Sequence, residues 1–248
     1  MATEDEEKSP FTRPGFIISA GLVVALVVVG VIVGISVAQK PDPTASPQPT
    51  ASEPAPSTAP TPTEGDAGGA SVCGLSGEVL EGTLTNVPDV DEWVYQGTTA
   101  YPTSTKYGPG MTAPEGYRYC FQHSPEGAAF MAATAIAQGG DPTVNAAWVN
   151  YVVPEGPYRD QLLSSAGQGG TTQGIRMDVR GVRLLSYTGD TARVDLGISG
   201  ASQGKTINAS VVYELVWQDG DWKLNAETPT PFDFAAIPNL SSYTPWGP

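Results

Sequence analysis

The chain has 248 residues, with 12 Lys and Arg against 26 Asp and Glu, for a formal net charge of −14 at pH 7. That sign excludes direct nucleic-acid binding, whose affinity comes mainly from basic contacts to phosphates. Two cysteines and a single histidine cannot complete the usual four ligands of a structural zinc site.

Residues 1–15 carry Glu4, Asp5, Glu6 and Glu7, with Lys8 and Arg13 nearer the apolar run that follows. Phe16 to Ala38 holds no charge, and its only polar side chains are Ser19 and Ser36. About 20 apolar residues in a helix cross the roughly 30 Å hydrocarbon core with every backbone group paired internally. The run is longer than a signal-peptide core, and an acidic segment precedes it, whereas signal peptides start basic. Ser36-Val37-Ala38 nonetheless has the small-x-small form of a cleavage site. The expectation is a single-pass protein of the cell membrane that contacts the bilayer through residues 16–38. Its N-terminus is cytoplasmic and its bulk extracytoplasmic. Orientation follows from Lys8 and Arg13 against Lys40, and from both cysteines, Cys73 and Cys120, lying on the C-terminal side, where an even count favours a disulfide.

Residues 39–70 read as a Pro/Thr/Ser-rich stalk. From 41 to 70 there is no Leu, Ile, Val, Phe, Trp or Tyr, so little apolar area is available to offset chain entropy. Its prolines favour polyproline II at about 3.1 Å per residue, a reach on the order of 90 Å. It reads as a plain tether, or as an O-glycosylated or wall-spanning stalk.

Residues 71–248 are long enough for one cored domain. They hold nine Lys or Arg and eighteen Asp or Glu, a net charge near −9. The stretch 71–116 is rich in Gly, Pro and Thr, with a short strand expected near Trp93-Val94-Tyr95. Tyr117 to Phe121 alternates as a strand. Ser124-Pro125-Glu126 is a helix start: a capping serine, proline at the first position and an acid in the first turn. The predicted helix runs from Pro125 to about Gln138, before Gly139-Gly140. A second is expected over Ala146 to Val152 and a third around Tyr158 to Ser165.

The period then changes. Ile175, Met177 and Val179 alternate with Arg176, Asp178 and Arg180, and Gly181 marks an expected bulge. Ala192, Val194, Leu196 and Ile198 alternate with Arg193, Asp195 and Gly197. Ile207 to Trp217 forms another strand, Gln218-Asp219-Gly220-Asp221 a hairpin turn, and Trp222-Lys223-Leu224 the return. The fold class predicted is α+β: two to three N-terminal helices on a curved antiparallel sheet of about four strands, preceded by one transmembrane helix. The tail, Pro229 to Pro248, carries Phe232, Phe234, Ile237, Leu240, Tyr243 and Trp246. It is expected to pack on the domain or on a neighbour.

Helices followed by an antiparallel meander that closes on Val212 to Leu224 resemble the nuclear-transport-factor-2-like (cystatin-like) superfamily. The membrane span, the stalk, Cys73-Gly74-Leu75, and Cys120-Phe121 with Ser124-Pro125-Glu126-Gly127-Ala128 are similar to assembly proteins of actinobacterial conjugative elements, which belong to type IV secretion-like machines. The resemblance implies a non-enzymatic scaffold subunit of a DNA-transfer apparatus. Its implied partners are other apparatus subunits and further copies of itself, with no cofactor. Enzymes of the superfamily carry an Asp–His or Asp–Arg set inside the sheet cavity. The inward strand positions here are apolar, so that activity does not carry over.

Cys73 and Cys120 are the expected disulfide, with two buried free thiols as the alternative. His123 is expected in a loop beside the helix cap, without a catalytic partner. Trp148, Tyr151, Tyr213 and Trp217 either line a helix–sheet cleft that captures a small lipid or peptide, or pack the core. Arg176, Arg180, Arg183 and Arg193 share an outer sheet face that is either solvated or a docking face for an acidic partner or a second copy.

Overall fold

The computed structural model describes residues 71–166, 176–202 and 205–248. The chain divides into two units, Met1–Thr63 and Glu64–Pro248, and everything described belongs to the second. The expected membrane span, 16–38, and the stalk lie outside the described residues. Among the described residues, no helix is long and apolar enough to cross a membrane.

Among the described residues, ten strands and three helices follow in order. A hairpin of β1 (Glu92–Gln96) and β2 (Thr99–Thr103) precedes a second, shorter one of β3 (Met111–Thr112) and β4 (Arg118–Tyr119). Helices α1 (Pro125–Gly140), α2 (Asn145–Val152) and α3 (Arg159–Ala166) come next. The main sheet contains β5 (Arg176–Tyr187), β6 (Thr191–Ser202), β7 (Lys205–Gln218), β8 (Asp221–Leu224), β9 (Phe232–Ile237) and β10 (Thr244–Pro245). Its order is β10-β5-β6-β7-β8, all antiparallel, with β9 also on β7.

This corrects the expected fold class. The sheet has six strands rather than about four, and two further hairpins precede the helices. The domain is mostly strand, so helices packed on a four-stranded sheet, as in the nuclear-transport-factor-2-like arrangement, do not describe it. The discrepancy arises in two places. Segment 71–116, expected to hold one short strand near Trp93 to Tyr95, supplies β1, β2 and β3 despite its Gly and Pro content. The apolar tail contributes β9 and β10 instead of loose packing.

Local signals explain the elements that lie where the sequence puts them. Ser124 caps α1, its hydroxyl accepting from the Gly127 amide at 3.0 Å, with Pro125 at the helix start and Glu126 in the first turn. A Cβ on Gly127 would lie 1.9 Å from the Gln122 carbonyl oxygen, so the entry requires glycine. From Ala128 to Ala137, α1 is buried on every side. A helix apolar all round needs cover on all sides, and α1 packs between β2 and the strands β5 and β6. Small alanines let both layers approach. The β5–β6 register shifts at Val179/Gly181 and again at Leu184/Ser186. In the 218–221 turn, Asp219 and Gly220 both have positive φ, 54° and 73°, as a type I′ hairpin requires.

The core joins Phe130, Met131 and Trp148 from the helices to Val179, Val194, Leu196, Val211, Leu215 and Trp222 from the sheet. Trp246, four residues beyond Ser242, enters the same core at 4 % exposure and meets Phe130 and Trp93 edge-on at 5.5 and 5.4 Å. The tail thus returns to its own domain.

Candidate functional site

Cys73 and Cys120 form a disulfide. It joins the start of the described chain to the residue after β4, and Ser71 Oγ lies 3.0 Å from Cys120 Sγ. Cys120 has φ of 70°, a conformation that L residues adopt only when their surroundings hold them there. The holding group is Asp221, at the first position of β8 and 1 % exposed. Its Oδ2 accepts from the Cys120 amide at 2.8 Å and the Tyr151 hydroxyl at 2.7 Å. Its Oδ1 accepts from the Phe121 amide at 2.8 Å and the Trp222 amide at 2.9 Å. Four donors fill the acceptor sites of one carboxylate. Burial pushes the Asp221 carboxyl above its ordinary value, opposed by Tyr151, the two amides of Cys120 and Phe121, and the Lys223 charge. The node ties β8, the Cys120 segment and α2 together.

Lys223, two residues on, is 4 % exposed. Its Nζ donates to the Tyr151 carbonyl at 3.1 Å and sits over the Tyr151 ring. Burial pulls its pKa down to about 8, against the opposing charges of Asp221 and Asp219. Burial, and then the Asp221 charge, raise the Tyr151 phenol. Tyr151 and Lys223 line a surface recess of about 370 Å3, with Asn150, Arg159 and Asp219 among its other walls. Arg159 donates to the Val153 carbonyl at the end of α2 and pairs with Glu155 at 3.3 Å.

The four candidate cleft residues occupy three places. Trp148 and Tyr213 are in the core at 6 % and 8 % exposure. Tyr151 packs at a tilt against the rings of Tyr117 and Tyr119 and faces the recess. Trp217 lies flat on His123, with ring centroids 4.0 Å apart. His123 is buried and holds three segments at once. Its Nε2 donates to the Gly189 carbonyl at 2.8 Å, its Nδ1 meets Glu78 at 2.7 Å, and its ring stacks on β7. A larger recess, about 550 Å3, is lined by Val87, Pro88, Trp93, Arg180, Trp246 and neighbours; none of the four candidates reaches it. Among the described residues, no three metal-ligating side chains converge.

Arg183 and Arg193 lie on the outer face of β5 and β6, and Arg180 lies beside it at the Val179/Gly181 register shift. There they meet carboxylates and the tail. Arg183 pairs with Asp195 and donates to Ser242 Oγ at 3.2 Å, while its guanidinium covers the Tyr243 ring. Asp195 is 1 % exposed and also accepts from Ser210 at 2.7 Å and Tyr243 at 2.9 Å. Gly181 and Gly197 face each other beneath this lock. A Cβ on either would lie 2.5 Å from Tyr243 or 2.8 Å from Leu240, so the glycine pair makes the trough in which the tail rests. Arg180 pairs with Asp178 at 3.1 Å and donates to the Pro248 carbonyl at 2.8 Å. Arg193 pairs with Glu214 at 3.3 Å, both partly exposed. The Arg176 side chain lies outside the described residues.

Sequence reading did not find Asp221, Asp195 or the β9 edge. Strand β9 runs beside β7 from Asn208↔Ile237 to Tyr213↔Phe232. On the face that carries the core residues Ala209, Val211 and Tyr213, it presents Ala236, Phe234 and Phe232. Phe232 is 54 % exposed and Phe234 37 %, so among the described residues the apolar layer continues past the helices without cover. The signal was in the sequence as Phe232-Asp-Phe-Ala-Ala-Ile237: aromatic alternation with one charge, bounded by Pro231 and Pro238.

The chain belongs to a family described as a domain of unknown function, DUF8175, whose model matches residues 39–245. No curated protein and no solved structure matches it.

Proposed function

We propose that this family member is a non-enzymatic scaffold subunit, anchored in a cell membrane through residues 16–38 and acting by assembly of its extracytoplasmic domain. The observation that carries this reading is strand β9, whose outer edge no other strand covers among the described residues. Its two exposed phenylalanines extend the core face to a sheet edge, and such edges template pairing with another chain. The disulfide supports an oxidising, extracytoplasmic location. The similarity of the Cys73 and Cys120 segments to proteins of conjugative elements favours a DNA-transfer apparatus of the type IV secretion kind, with its other subunits as partners. The chemistry is docking, with no cofactor and no bond made or broken. Light scattering on the full chain in mild detergent, across concentration, tests it: a mass above monomer that falls on dilution is expected, and a monomer at every concentration overturns self-assembly.

A second reading rests on the 370 Å3 recess, whose size suits a small ligand. A tethered module capturing a small lipid or peptide there would lose binding when Lys223 or Tyr151 is replaced.

A further inference from the structure

We infer that β9 pairs with β9 of a second copy, antiparallel about a two-fold axis at Phe234, so that two sheets join edge to edge. The inference rests on the assembly reading and names its partner and register.

The ladder fixes which groups point outward. The Glu214 amide donates to the Pro231 carbonyl at 2.7 Å, and the register then places Asp233, Ala235 and Ile237 opposite Val212, Ser210 and Asn208. In an antiparallel pair, hydrogen-bonded positions alternate with unbonded ones. Asp233, Ala235 and Ile237 therefore bond to β7, and the N–H and C=O groups of Phe232, Phe234 and Ala236 point away from it. Among the described residues, no hydrogen bond beyond the β7 ladder reaches 232–237. Pairing about Phe234 sets Phe234 opposite its twin and Phe232 opposite Ala236, so every outward donor meets an outward acceptor.

Side chains and charge agree with this register. A two-fold axis normal to the sheet keeps each face on its own side. Phe234 then meets Phe234 as a cross-strand aromatic pair, on the face continuous with Val211 and Tyr213. Asp233, the edge's single charge, falls opposite Ala235 rather than its own twin. Natural edges are blunted by charges, prolines or cover; at β9, Pro231 and Pro238 only bracket the strand. A second copy fits better than an arbitrary peptide because the edge is complementary to itself in both hydrogen bonding and shape. Six residues a side bury less than the roughly 1,600 Å2 of a standard interface, which makes the contact weak in dilute solution. Two copies anchored in one membrane gain effective concentration.

Facing Cα atoms in a hydrogen-bonded antiparallel pair are about 5.5 Å apart, within disulfide range. Full-length Phe234→Cys in mild detergent is therefore expected to give a covalent dimer on mild oxidation, while Met111→Cys, exposed on β3, gives none. Ala236→Pro removes an outward N–H while sparing the β7 ladder, keeps both phenylalanines, and is expected to weaken association on the order of tenfold. Its near-ultraviolet circular dichroism reports whether the fold is kept, and the cross-link is read independently of it. Association of the wild type with no Phe234→Cys dimer, or with a folded Ala236→Pro variant of unchanged affinity, overturns the β9 pairing and leaves the assembly reading standing. A strict monomer overturns both.

Discussion

Asp221→Asn tests whether the buried carboxylate fixes the Cys120 segment. The carboxylate accepts from three backbone amides and one phenol. An asparagine of the same shape keeps one oxygen, which serves the Phe121 and Trp222 amides. Its NH2 group then faces the Cys120 amide and Tyr151. The phenol can turn and accept, but the Cys120 N–H is left against another donor in a buried site. A lost hydrogen bond to a charged group costs about 1.5–3 kcal/mol, and a stranded buried donor about 1–3 kcal/mol. Relief of the buried charge offsets part of this, for an expected net loss of about 3 kcal/mol. For a unit of this size, that lowers Tm by roughly 6–12 °C. All five tryptophans lie between Trp93 and Trp246, so urea unfolding of the full chain followed by tryptophan fluorescence reads the described unit. Tyr151→Phe alone is expected to cost about 1 kcal/mol, and the double variant less than the sum. A loss below about 0.5 kcal/mol for Asp221→Asn, or strict additivity with Tyr151→Phe, refutes the role given to Asp221.

Lys223 gives a pH dependence whose sign follows from its depressed pKa. Between about 8 and the ordinary 10.5, the unfolded chain binds more protons than the folded one, so stability rises with pH across that window. Replacing Lys223 with Met should flatten the rise by about 3 kcal/mol between pH 7 and 10.5, read as the difference in urea midpoints; equal slopes would sink the idea. The disulfide spans a sequence separation of 47, and the Cys73→Ser/Cys120→Ser variant should lose about 4 kcal/mol in chemical denaturation. Trp246→Ala removes a side chain packed on Trp93 and Phe130 and should cost about 3–5 kcal/mol, with increased protease access to the tail. Arg193→Ala breaks only a partly exposed pair and should change stability by less than about 1 kcal/mol.

Some of this was legible from the chain alone because it depends on neighbours in sequence. Ser124-Pro125-Glu126 starts a helix whatever surrounds it, Asp219-Gly220 turns a hairpin, and strict alternation from Ala192 to Ile198 makes a half-buried strand. Asp221 reads only as a turn residue, because its function as an acceptor depends on amides about 100 positions earlier. Asp195 alternates correctly onto the outer face. Its burial comes from Tyr243 and Arg183, which cover that face only because Gly181 and Gly197 leave room. Two-residue β3 and β10 carry no periodic signal at all, whereas β4 falls inside the alternating Tyr117 to Phe121. The sheet was undercounted because β9 pairs with only half of β7, the other half having already been taken by β8.

The same contacts divide the described unit into a tied side and an open one. An all-buried α1 needs the β1–β2 hairpin over it, yet two strands cannot hold that position alone. The disulfide, Asp221, and His123 with Glu78 fasten the segment that carries the hairpin, and Trp246 of the tail closes over β1 through Trp93 and the Pro88 carbonyl at 3.2 Å. The tail can reach that far only by crossing β5 in the glycine trough. The chain is therefore drawn toward the β5 edge of the sheet, which β10 partly covers. Beyond β7 at the opposite edge, no such cover exists among the described residues, and the core face ends on Phe232 and Phe234. Docking at β9 thus requires no element to leave. It is expected to proceed without the slow phase that displacing a packed segment would impose, which stopped-flow dilution of the associated full chain would reveal as a single exponential.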